Sequence, residues 1–313
     1  MTVHAVTPNP AVDITYRVPA ARFHTVNRVE AVAERPGGKG VNVARLLAAR
    51  GADVAAYGFL GGLSGRRLSN LLTDIAPGVE QRWTGTESET RRTIAVVDDE
   101  DTTMYNEPGR PVSDEEWARL TQAVASAAHP GDTVTISGSL PPQTDSARLA
   151  ELVAAARERG ATVIVDTSGP ALLAAARAGA HVLKPNRDEL VEVTGSRSVA
   201  EGIAALLEQG CAAVVASLGP DGLLLGTDEG LTTATLGRSL QGNPTGAGDA
   251  VVAALAHALA GESQNDLSAT LKGALTSAVG WSAAAVLAPV AGEIDLTITD
   301  GLVAEATTKE WAC

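Results

Sequence analysis

Aromatic side chains are scarce in this chain, 3% of 313 residues, so its apolar interior must be built from Ala, Val and Leu. Such side chains suit helices packed closely on a parallel sheet. Cysteine is almost missing too. Cys211 and Cys313 lie far apart, with no metal-type spacing and no disulfide set, which points to a reducing compartment. Met1-Thr2-Val3-His4 lacks the basic-then-apolar character of an export signal, so a cytoplasmic location is expected. No uninterrupted apolar run reaches membrane-spanning length. The nearest, around Ala274 to Ala288, is broken by Thr276, Ser277, Gly280 and Ser282. Positive charge is in deficit. A formal net charge of −13 argues against a nucleic-acid or acidic-membrane partner, whose phosphates would repel such a surface. An anionic substrate would then need cations concentrated in particular loops.

Several catalytic signatures are also absent. There is no G-x-x-x-x-G-K-[ST] loop, no H-E-x-x-H and no Cys/His cluster suited to zinc. Gly38-Lys39-Gly40 and Gly246-Ala247-Gly248 each begin a G-x-G, but the third glycine position holds Val43 or Val251. A dinucleotide fingerprint is therefore poor, which counts against an oxidoreductase.

What is present is an ordinary globular composition, 45% hydrophobic and 19% charged, with a regular alternation. Strands are expected at Val3–Thr7, Val54–Phe59, Thr93–Val97, Thr133–Ser137, Thr162–Asp166, His181–Lys184 and Ala213–Ser217. Amphipathic helices are expected at Asp114–Ala128, Asp145–Arg159 and Val199–Gln209. Strand-then-helix repetition indicates an α/β fold, with a mainly parallel sheet covered on both faces and ligands at the carboxyl ends of the strands. Two polar stretches, Ile14–Arg35 and about Glu87–Gly109, show period-2 alternation and no helix. They are expected to form extra strands outside the main sheet, a small lid over the site. Nothing linker-like divides the chain, so residues 1–313 read as one domain with that lid.

Two glycine loops open into apolar helices. In Asn243-Pro244-Thr245-Gly246-Ala247-Gly248-Asp249-Ala250, small side chains let backbone N–H groups approach an anion at a helix N-terminus. Asp249 there is either a helix cap or a base for an attacking hydroxyl. In Pro36-Gly37-Gly38-Lys39-Gly40-Val41-Asn42, Lys39 and Asn42 add charge and polar contacts for a hydroxylated anionic ligand. A plain left-handed turn is the alternative.

These two segments resemble the paired signatures of the PfkB family of carbohydrate kinases, which have the ribokinase-like fold. Intervening landmarks follow in the family's order: Asn9-Pro10-Ala11-Val12-Asp13, Ser137-Gly138-Ser139-Leu140-Pro141-Pro142, Lys184-Pro185-Asn186-Arg187-Asp188-Glu189 and Ser217-Leu218-Gly219-Pro220-Asp221-Gly222. The resemblance implies a three-layer α/β/α architecture and ATP-dependent phosphorylation of a sugar. It makes Asp249 the catalytic base and Gly246, Ala247 and Gly248 the anion hole for the transferring phosphoryl group. Asp13, Gly38, Lys39, Asn42 and Ser139 match sugar or sugar-phosphate contacts. Arg91 matches the arginine on the substrate phosphate, with its neighbour Arg92 as the rival, and Arg28 is a further candidate. Lys184, Asn186, Ser217, Gly219, Gly222 and Thr245 match the nucleotide side. Asn186 and Glu189 match a magnesium site reached partly through water.

Within the family, Asn27-Arg28 and Asn106-Glu107-Pro108-Gly109 resemble the branch that phosphorylates fructose 1-phosphate at its 6-hydroxyl. Tagatose-6-phosphate and fructose-6-phosphate kinases are the alternatives, and a non-catalytic sugar-phosphate sensor stands further off. Met104 departs from that branch, which usually has Glu there. Family lids often pair two subunits, so a homodimer is implied.

Overall fold

The strand Val3–Thr7 is buried at every position, and so are Val54–Leu60, Thr133–Ser137 and Thr162–Asp166. Strands buried on both faces belong inside a sheet covered on two sides. The computed structural model describes residues 1–262, 266–288 and 292–311, and Cys313 lies outside them. In chain order its first elements are β1 (Val3–Thr7), β2 (Ala11–Arg17), β3 (Ala31–Gly37), α1 (Lys39–Ala49), β4 (Val54–Leu60), α2 (Gly62–Ile75), β5 (Val79–Gly85), β6 (Arg91–Val97) and β7 (Thr102–Asn106). Next come α3 (Asp114–Ala127), β8 (Thr133–Ser137), α4 (Ser146–Glu158), β9 (Thr162–Asp166), α5 (Pro170–Arg177), β10 (Val182–Leu183), α6 (Arg187–Thr194), α7 (Val199–Glu208) and β11 (Ala213–Ser217). The last are β12 (Leu223–Thr227), β13 (Gly230–Thr235), α8 (Ala247–Leu259), α9 (Leu267–Leu287), α10 (Leu296–Glu305) and β14 (Thr307–Glu310).

Among the described residues, ten strands form one sheet in the order β14-β13-β12-β11-β10-β9-β8-β1-β4-β5. Pairing is parallel from β5 through β11 and antiparallel at the edge formed by β12, β13 and β14. Val3 stands opposite Val54 on one side and Thr133 on the other, so the central carboxyl ends align along one edge. On one face α1, α8 and α9 bury Val41, Leu46, Leu47, Val252, Leu255 and Leu275. On the other, α3, α4, α5 and α7 bury Trp117, Leu120, Leu149, Leu172 and Leu206. Each such side chain contributes roughly 1.5–3 kcal/mol by leaving water. The result is a three-layer fold.

The apolar stretch ending near Ala288 is α9, buried against α8 and α10. Among the described residues no helix is long and apolar enough to cross a membrane.

A second sheet, in the order β3-β2-β6-β7, occupies the two stretches of alternating polarity. Thr93–Val97 belongs to it, within a strand that starts at Arg91. It exposes Val32 and Tyr105 on one face and Met104 on the other. The expected strand His181–Lys184 is shorter, Val182–Leu183, because Pro185 has no N–H to continue the ladder.

Candidate active site

Asp249 lies in the first turn of α8, but Gly246 occupies the cap position and no side chain caps this helix. The Asp249 carboxylate instead accepts a hydrogen bond from Asn42 Nδ2, 2.8 Å from its Oδ2. The cap alternative is therefore set aside by geometry. Gly246 takes a left-handed φ of 88°, which turns the chain into the helix so that the amides of Gly248 and Asp249 fall in its first turn. N–H groups there have no intrahelical acceptor and face an incoming anion. The Ala247 N–H is already directed to the Pro244 carbonyl at 3.2 Å.

Burial, then the nearby Asp166 carboxylate, pushes the Asp249 carboxyl up to about 7, while Asn42, Lys39 and Lys184 pull the other way. A carboxyl tuned to that range can accept a proton from a hydroxyl at neutral pH. Lys39 Nζ lies 3.1 Å and Lys184 Nζ 3.5 Å from the same oxygen, Oδ1 of Asp166. Burial lowers the Lys39 ammonium, but Asp166, Asp249 and Glu189 outweigh it and leave Lys39 raised. Both lysines thus act on the Asp249 carboxyl.

The sugar-side residues meet at the junction of β1, β2 and the small sheet. Gly38, at φ 108°, leads into α1, and a Cβ there would lie 2.7 Å from the Thr7 side chain. Gly37 has a different constraint: a Cβ would lie 2.1 Å from Asp13 Oδ2. Thr93 donates its hydroxyl to Asp13 Oδ1 across the paired strands β2 and β6. Burial raises Asp13 against that hydrogen bond and the Arg91 charge. Arg91 donates Nε to the Asn9 carbonyl at 3.1 Å and Nη1 to the Glu107 carbonyl at 3.0 Å. Asn9 in turn donates Nδ2 to the Pro108 carbonyl at 3.0 Å and to Ser139 Oγ at 3.3 Å. Arg91 and Asn9 line a shallow cleft with Pro10 and Gly109. Arg92, one residue on and so facing the other way, pairs on the surface with Glu107 at 3.3 Å. Of the two arginines, Arg91 is the one that lines the cleft.

Lys184 directly follows β10, and Asn186 opens α6 with a reciprocal cap. Asn186 Oδ1 accepts from the Glu189 N–H at 2.8 Å, and Glu189 Oε2 accepts from the Asn186 N–H at 2.9 Å. Asn186 bridges in parallel to Ser217 at the end of β11. The turn that follows carries Gly219 at φ 63°, with open space where a Cβ would stand. Gly222 is there for packing, since a Cβ would lie 2.1 Å from the Ala234 carbonyl. Thr245 is exposed, its N–H held by Asn243 Oδ1 at 3.0 Å.

Arg28 lies on the exposed loop between β2 and β3. Sequence reasoning also missed Asp166, the carboxylate between both lysines, and Asn9 and Thr93 in their supporting roles. Asp166 left one signal, a carboxylate closing the buried strand Thr162–Asp166.

Residues 6–297 match the pfkB family carbohydrate kinase profile. Over 256 residues, 80% of this chain and 83% of the relative, the sequence is 33% identical to a 1-phosphofructokinase of Bacillus subtilis. It superposes with a TM-score of 0.85 on Escherichia coli phosphofructokinase-2 in complex with fructose-6-phosphate, 28% identical, covering 96% of this chain and 98% of that one. Arabidopsis thaliana ribokinase, 19% identical, shares the fold with a TM-score of 0.72, again over 96% and 98% of the two chains. The fold is ribokinase-like, and the chain belongs to the pfkB family of carbohydrate kinases, ATP-dependent enzymes that phosphorylate sugars.

Proposed function

We propose that this chain is a 1-phosphofructokinase, which transfers the γ-phosphoryl group of Mg·ATP to the 6-hydroxyl of fructose 1-phosphate and yields fructose 1,6-bisphosphate. The observation that carries the choice of sugar is the turn Asn106-Glu107-Pro108-Gly109. Its Glu107 and Pro108 carbonyls aim Arg91 and Asn9, so the segment that resembles the fructose-1-phosphate branch also shapes the phosphate end of the cleft. The Bacillus subtilis relative supports the same reading.

Asp13, Gly38, Lys39, Asn42 and Ser139 hold the sugar, and Arg91 grips its phosphate with a planar, charge-assisted fork. Asp249 takes the proton from the attacking hydroxyl onto its carboxylate. The Gly246-Ala247-Gly248 turn, Lys39 and Lys184 hold the developing charge while the phosphoryl group passes in line. Lys184, Ser217, Gly219, Gly222 and Thr245 position the nucleotide. A magnesium ion bound with ATP would supply charge neutralisation at the phosphates. Asn186 and Glu189 fit such an ion through water, because the reciprocal cap engages only one oxygen of the half-buried Glu189 carboxylate. The small sheet acts as a lid that excludes water. Exposed Phe23, Val26, Val32 and Tyr105 on it support a homodimer, which would also find a use for Arg28. The near absence of cysteine supports a cytoplasmic location.

The test is kcat/KM for fructose 1-phosphate, fructose 6-phosphate and tagatose 6-phosphate with the same Mg·ATP, alongside Asp249→Asn. Fructose 1-phosphate should be preferred, and the variant should lose roughly 10²–10⁴-fold in rate. A preference for either 6-phosphate refutes the choice of sugar. Near-normal turnover by Asp249→Asn refutes the base.

A further inference from the structure

Glu293 belongs to none of the motifs that the sequence singles out, yet α1 and the small sheet both meet on it. Its Oε1 lies 3.1 Å from Arg45 Nη2 of α1 and 3.9 Å from Arg35 Nε of β3, in the small sheet. The Arg45 side chain is only 5% exposed, so its charge requires a partner, and Glu293 is the carboxylate it finds. The preceding residue, Gly292, takes φ 73° and lies hard against Asn42, where a Cβ would stand 2.4 Å from Oδ1. Asn42 is the residue that donates to Asp249. An unbroken line of contact therefore runs from the small sheet to the base.

We propose that Glu293 is a positioning residue for phosphoryl transfer: clamped by Arg35 and Arg45, it holds the Gly292 turn on Asn42 and so fixes the hydrogen bond that orients Asp249. This rests on the reading of Asp249 as the base. The charged groups facing that carboxyl are Lys39 from α1, Asp166 from the end of β9 and Lys184 from the end of β10. The Asn42 hydrogen bond acts with the lysines to favour the ionised base, against burial and Asp166. When the Gly292 turn slackens, Asn42 loosens and the base ionises at higher pH.

The experiment is the pH dependence of kcat for the full chain, Glu293→Gln and Gly292→Ala, with Tm and the KM for ATP measured in parallel. Glu293→Gln removes the clamp. Gly292→Ala leaves both ion pairs in place and displaces Asn42 directly, so the test survives if the first variant folds poorly. Both should move the acid limb upward by about half a pH unit or more, with KM for ATP within about twofold of the parent. A lower Tm with an unmoved acid limb in both variants would show a structural role only and overturn the proposal. If instead the unaltered chain phosphorylates no sugar phosphate, or Asp249→Asn keeps its rate, the reading of the base fails and the proposal falls with it.

Discussion

Replacing Asp249 by Asn should stabilise the folded chain at neutral pH while removing its activity. Burial first, and the Asp166 charge second, raise this carboxyl from 3.8 to about 7. An unfolded chain releases the proton near 3.8, whereas the folded chain keeps it until about 7. Between those values the folded state binds more protons, so stability falls as pH rises. The whole displacement corresponds to about 4 kcal/mol once both states are ionised, and about 1.6 kcal/mol of it is already felt at about pH 5. Asn does not titrate. Its stability advantage over Asp should therefore grow by about 2–3 kcal/mol between about pH 5 and about pH 8. Urea unfolding of both proteins across that range measures the difference, and other titrating groups cancel in the comparison. Asp166→Asn supplies a second arm: without that charge Asp249 ionises at lower pH, and the acid limb of kcat/KM moves down with it. A pH-independent gap between Asp249→Asn and the parent, or one that narrows as pH rises, would refute the strained-base argument.

Gly37→Ala should push the Asp13 carboxylate aside, since the new Cβ would lie 2.1 Å from its Oδ2. The KM for sugar phosphate should rise by about tenfold or more, about 1.4 kcal/mol, with the KM for ATP unchanged, and equal changes in both would count against a sugar role for Asp13. The chain should sediment as a dimer, and Val32→Asp, placing a charge on the exposed face of the small sheet, should shift it to monomer. A monomeric parent protein would remove the case for pairing through that sheet.

Much of the fold was legible because its strands are buried on both faces. Val3–Thr7, Thr133–Ser137, Thr162–Asp166 and Ala213–Ser217 are short runs rich in β-branched residues, and the structure keeps those bounds. The strands that escaped notice lie toward the two ends of the main sheet. Val79–Gly85 mixes Glu80, Arg82 and Trp83 because only part of it is covered. Leu223–Thr227 and Gly230–Thr235 form a tight antiparallel hairpin outside the strand–helix rhythm. In the site, the glycine loops were legible because close backbone approach restricts residue type over a short window. Asp166 was not, because its meaning depends on Lys39, 127 positions away in sequence. A carboxylate that closes a strand looks the same whether it faces water or two ammonium groups.

That carboxylate also explains how an acidic chain can hold anions at all. With a net charge of −13, the surface at large repels phosphates, so attraction must come from a few cations with little competing solvent. An ammonium group taken out of water tends to lose its proton and would then offer nothing to a phosphate. Lys39 escapes this because Asp166, Asp249 and Glu189 more than offset its burial. The same arrangement governs Asp249. Asp166 repels Asp249 and helps keep it protonated, while both lysines favour its ionisation. Opposite charges a few ångströms apart at a protein surface interact by roughly 4 kcal/mol. Phosphates that draw either lysine away from Asp249 would therefore raise its basicity, just where a hydroxyl proton has to be taken up.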